Sequence, residues 1–157
     1  MKFDYKLILT GLLLMLLQAC GNGQQPAESG AADTPAAGPT RTASPPGATV
    51  FIISPVNGAT LTSPVEVKFG ISGMAVAPAG DYSENTGHHH LLVDTELEDM
   101  NLPVPTSDNH IHFGKGQTET TVTLEPGQHT LQLVLGDGNH IPHDPPVMSE
   151  RITITVE

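Results

Sequence analysis

The sequence predicts an all-β fold, an antiparallel β-sandwich of about seven strands over residues 49–157. Three observations lead there. Apolar and polar residues alternate with period two, turn chemistry separates the alternating runs, and no stretch keeps helical spacing beyond about two turns. Prolines at Pro103, Pro105, Pro142, Pro145 and Pro146 would interrupt a helix in any case.

The runs are short and regular. Val65, Val67, Phe69 and Ile71 alternate with Glu66, Lys68 and Gly70. Val122 and Leu124 follow the same rule, as do Leu131, Leu133 and Leu135, and Ile152, Ile154 and Val156. Between them lie Pro55-Val56-Asn57-Gly58, Glu125-Pro126-Gly127 and Gly136-Asp137-Gly138-Asn139, all favourable turn sequences. Val67, Phe69, Leu131, Leu133, Ile152 and Ile154 are expected to face one core. The opening Ile53-Ser54-Pro55 and the closing strand-turn-strand pattern resemble bacterial immunoglobulin-like domains, which implies a fold and no particular activity.

The N-terminus has a different texture. Lys2 and Lys6 precede an apolar run from Leu7 to Leu17, which is followed by Gln18-Ala19-Cys20. A run this short is well under the ~20 apolar residues that span a bilayer, and the pattern is that of a cleaved secretory signal, residues 1–19. Leu17-Gln18-Ala19-Cys20 resembles the lipobox of bacterial lipoproteins, which implies that Cys20 is acylated and becomes the membrane-anchored terminus. In that family an Asp after the cysteine favours the inner membrane; Gly21 stands here, so the outer membrane, facing the periplasm, is expected. Residues 20–48 are rich in Gly, Pro, Ala, Ser and Thr, lack large apolar side chains, and are expected to form an irregular tether with few contacts to the domain.

Charge and cysteine content narrow the function classes. The chain carries a formal net charge of −11, which disfavours nucleic acid and anionic lipid surfaces and favours cations. Its one cysteine is Cys20, so the domain has neither a disulfide nor a thiolate ligand, and a blue-copper site is excluded. Aromatic residues make up 4 % of the chain and tryptophan is absent, which argues against sugar stacking.

The histidines are the chemically informative feature. All eight fall between His88 and His143, as His88-His89-His90, His110-Ile111-His112, His129 and His140-Ile141-Pro142-His143. Imidazole binds zinc, copper and nickel, and residues i and i+2 on a strand share a face about 7 Å apart. Period two puts His88 and His90 opposite in phase to His89, Leu91 and Val93, and His110 and His112 opposite to Ile111 and Phe113. If the two strands are neighbours, four imidazoles converge. The expected metal site is therefore His88, His90, His110 and His112, with His140, His143 and Met148 in reserve and His129 structural. The duller readings are a solvated loop for the triple histidine, and Asx-turns at Asp137, Asn139 and Asp144. A calcium loop from those acids lacks a regular ligand spacing. Met74, Met100 and Met148 lie near loops and tilt the expected ion toward copper, with zinc or nickel as alternatives. Neutral imidazole ligands imply an affinity that falls steeply with acid near the ordinary histidine pKa of ~6.5.

Four stretches carry a closer resemblance: Gly73 through Gly80, Glu84 through Asp94, His110 through Glu119, and Leu131 through Ser149. Together they resemble the bacterial domain of unknown function 4399 (DUF4399), which supplies a family without binding or catalytic residues to carry over. The expected function is an envelope-anchored lipoprotein that binds copper as buffer, carrier or sensor; its protein partner is not specified. The alternatives are an immunoglobulin-like module that binds an envelope protein or glycan through the histidines, and a metalloenzyme with Glu84 or Asp94 as base. No nucleophile elbow, phosphate loop or zinc-protease motif is present, so a non-enzyme is expected.

Overall fold

The computed structural model describes residues 40–157, so the leader, Cys20 and the tether as far as residue 39 lie outside the described residues. Among the described residues every regular element is a strand. They are β1 (Thr49–Ser54), β2 (Thr60–Leu61), β3 (Val65–Ser72), β4 (Ala75–Val76), β5 (Thr86–Val93), β6 (His110–His112), β7 (Glu119–Val122), β8 (Gly127–Gly136) and β9 (Ile152–Val156). One sheet has the order β1-β3-β7; the other runs β2-β9-β8-β5-β4, with β6 also paired to β5. The long pairs are antiparallel, as expected. The two-residue strands β2 and β4 are the additions to the expected seven, and each pairs in parallel.

The sheets face one another across a single core, which makes the fold a β-sandwich. Val50 of β1, Val65, Val67 and Phe69 of β3 and Val122 of β7 meet Leu91, Val93, Leu131, Leu133, Leu135 and Ile154 of the other sheet. The alternation in β3 is the direct cause: Val65, Val67 and Phe69 are buried and Ile71 is partly buried, while Glu66 is exposed. Ile152 is partly buried and packs against this core.

Strands β5 and β8 depart from simple alternation because both of their faces are covered. Seven consecutive residues of β5, Gly87 to Val93, are buried. Their outer face carries a second small apolar cluster of Leu92, Val104 and Val134, joined by Leu97 and Met148. The uninterrupted Leu91-Leu92-Val93 run is thus a strand between two layers.

The end of the expected tether belongs to the domain. Arg41 donates to the carbonyls of Pro142 and His143, Thr42 donates to Asp137, and Ala43 forms a parallel bridge with Asp144. Ser44 donates its amide to the Asp144 carbonyl at 3.0 Å. Composition suggested a free coil because the segment has no apolar side chain to bury; it is held instead by hydrogen bonds to a distant loop. Among the described residues the contacts of the domain thus reach back to Arg41, ahead of residue 49.

Candidate metal centre

Period two and strand register together build the site. Along β5, His89, Leu91 and Val93 point into the sandwich, so His88, His90 and Leu92 point out. Antiparallel pairing sets His112 of β6 opposite His90. Ring centroids of His88 and His90 are 4.9 Å apart, and each lies 5.0 Å from the His112 ring. Each of the three offers one ring nitrogen, and those nitrogens all lie within 4.8 Å of one another. The Nε2 atoms of His88 and His90 are 3.1 Å apart. Two nitrogens on one ion at ~2.0–2.1 Å stand about 2.9 Å apart at a right angle and about 3.3 Å apart at the tetrahedral angle. The observed spacing falls inside that range.

Two glycines make room for the rings. Gly136 on β8 pairs with His88, and a Cβ placed there would lie 2.9 Å from His90 Nε2. At Gly114 a Cβ would lie 2.4 Å from Cε1 of His112. Any larger residue at either position would have to displace a ring.

The electrostatics favour neutral imidazoles. His88 and His90 are 0 % exposed. Among the described residues, every buried side-chain nitrogen or oxygen lacking a hydrogen bond is an imidazole nitrogen, on His88, His89, His90, His112 or His143. On His88 and His90 the unpartnered atom is Nδ1, while their Nε2 atoms face one another; on His112 it is Nε2. Burial pushes the His88 imidazole down to about 4, with neighbouring His140 and His112 adding to the effect. The same causes, burial first and then the adjacent imidazoles, take His90 down to about 2. His112 is lowered by burial and by His140. Burial thus disfavours the protonated form of these rings in the metal-free fold.

The profile of DUF4399, a domain of unknown function, matches residues 67–157. The chain belongs to the DUF4399 family. Fibronectin(III)-like modules of Clostridium thermocellum CbhA are similar over 69 % of this chain and 93 % of theirs, at 13 % identity and a TM-score of 0.35. Among curated proteins none matches the sequence.

Within the DUF4399 domain the expected site residues divide. His88, His90 and His112 come together. His140 joins their edge, its ring 4.9 Å from that of His88 and 4.8 Å from that of His112. His110 does not join them: the register sets it opposite Leu92, one two-residue step away, and its Nδ1 is 3.0 Å from Ser107 Oγ. His143 is fully buried, but its ring is packed beside Gly87 rather than in the cluster. Met148 lies in the small apolar cluster with Leu92 and Val134, and Met74 packs against the main core. These two thioethers are packing residues, which removes the support that they lent to copper. His129 is half-buried and structural, with Nδ1 2.6 Å from Asp94 Oδ2 and Nε2 2.8 Å from the Glu125 carbonyl oxygen. Sequence reasoning passed over Gly114 and Gly136, whose part is to be empty space beside a ring.

Proposed function

We propose that the DUF4399 domain is an envelope metal-binding lipoprotein, anchored through Cys20, that holds a transition-metal ion in the imidazoles of His88, His90 and His112. The single observation that supports it is the convergence of three buried or half-buried imidazoles, each with a ring nitrogen within 4.8 Å of the others. An all-nitrogen set disfavours calcium and magnesium, which take oxygen ligands. Imidazole suits copper, zinc and nickel, and copper tops the divalent affinity series, so copper is the preferred cargo.

A buffer, carrier or sensor fits better than a catalyst. Asp94, one of the two bases that the sequence offers, has both carboxylate oxygens engaged, by His129 and by the Thr130 amide. An interaction surface made of the histidines fits poorly with the complete burial of His88 and His90.

Metal analysis of the untagged full chain, followed by titration with Cu2+, Zn2+ and Ni2+, tests the metal reading. One ion per chain is expected, with Cu2+ tightest; failure to take up any of the three stoichiometrically would sink it. Anchoring is tested separately by Cys20→Ala, which should release the protein from the membrane fraction. A variant that stays in the membrane would refute the lipid anchor and leave the metal centre untouched.

A further inference from the structure

His140 occupies an unusual place. It takes a left-handed backbone conformation, φ 69°, which a residue with a Cβ adopts at some cost, and its half-exposed ring covers the rim of the cluster. Its ring centroid is 4.9 Å from that of His88, 4.8 Å from that of His112 and 6.0 Å from that of His90. The turn that presents it is organised by one buried carboxylate. Asp137, 4 % exposed, accepts the amides of Asn139 and Ile141 at Oδ1, at 2.8 and 3.0 Å. Its carbonyl accepts the His140 amide at 2.9 Å.

The other oxygen of that carboxylate reaches the N-terminal segment. Asp137 Oδ2 accepts the Thr42 hydroxyl at 2.7 Å. Around it residues 41–44 clasp the same loop: Arg41 binds the Pro142 and His143 carbonyls, and Asp144 donates its amide to the Thr42 carbonyl at 2.9 Å. A continuous hydrogen-bonded path thus runs from the segment leading out of the domain, through Thr42 and Asp137, to the turn of His140.

We propose that His140 is the fourth ligand of the metal centre and that Thr42, acting through Asp137, is the positioning residue that holds it over the other three imidazoles. The proposal rests on the metal reading above and adds to it a four-imidazole shell whose lid is tied to the segment entering the domain. Conformational change or a partner acting on residues 41–44 would loosen one ligand and leave three. The strap is in this sense a regulator of metal retention.

Cu2+ bound to the full chain reports the number of nitrogens by electron paramagnetic resonance, and competition titration reports affinity. His140→Asn is the variant of choice, because Asn tolerates the left-handed conformation and keeps the turn. It should lose one nitrogen from the spectrum and weaken Cu2+ binding. Thr42→Val should keep Cu2+ bound but alter the spectrum and weaken affinity about 10-fold, the lower end for loss of a ligand-orienting contact. Thr42→Ser should restore both. Thermal unfolding of the metal-free variants checks that the fold is kept. A His140→Asn protein with the parent's spectrum and affinity overturns the fourth ligand while leaving the three-histidine reading standing. Thr42→Val indistinguishable from the parent overturns the positioning role, and a parent that takes up none of Cu2+, Zn2+ and Ni2+ overturns both readings together.

Discussion

The two faces of β5 carry adjacent histidines with opposite surroundings. On the inner face His89 lies edge-on to Phe69, ring centroids 4.8 Å apart, among Leu91, Val93 and the main core. On the outer face His88 and His90 meet His112 and His140. Both faces are fully buried, and burial pushes His89 down to about 4, as it does His88. Burial and pKa therefore do not separate a binding imidazole from a packed one. What separates them is whether the facing residues bring a second donor.

The largest effect should come from the outer face. His90→Gln is expected to weaken Cu2+ binding by at least about 100-fold, beyond the ~10–100-fold that losing an outer-shell contact costs, while His110→Gln changes it little. Equal losses in the two variants would break the division between His90, inside the cluster, and His110, outside it.

His89→Leu should act on stability alone. It replaces a buried ring, whose polar neighbour is the Gln117 backbone, by an apolar side chain, and should raise stability in urea unfolding by less than the ~1–3 kcal/mol of a wholly unpartnered group. Metal affinity should stay at the parent value. A loss of Cu2+ binding in this variant would show that the inner face belongs to the site.

Acid should expose both faces together in the metal-free protein. His88, His89 and His90 are neutral in the fold, with lowered pKa values, and take protons near 6.5 once unfolded. The unfolded chain binds more protons below that pH, so stability is full above 6.5 and falls as the pH drops toward about 4. Each histidine contributes a slope of up to about 1.4 kcal/mol per pH unit. Chemical unfolding at pH 7.5, 6 and 5 would measure it. A flat profile would mean that the rings take up protons in the fold as readily as in the unfolded chain.

The smallest effect belongs to His129, which lies outside both faces. Its pKa is raised by the hydrogen bond to Asp94, so its contribution is complete below 6.5 and fades as the pH rises through the raised value. His129→Asn should destabilise by about 1 kcal/mol at pH 6, less at pH 9, and leave metal binding unchanged.

The alternating strands were legible because their cause is local: period two in Val65 to Ile71 dictates which side chains face the core. The same rule separated His88 and His90 from His89. Which histidines meet across strands was not legible, since it depends on a register in which His90 pairs with His112 and Leu92 pairs with His110. A shift of two residues would have kept the same faces and chosen His110 instead. Nor could composition reveal the strap, because hydrogen bonds from Arg41 and Thr42 to a loop about a hundred residues away leave no periodic trace.

Exposure is graded across the cluster, from His88 and His90 at its floor to His112 and His140 at its rim. If the cluster holds an ion, traffic and retention would fall to different residues. An incoming donor would meet the rim first and take its places one at a time. Release would then go by stepwise ligand substitution, with a rate set by the acceptor more than by the floor.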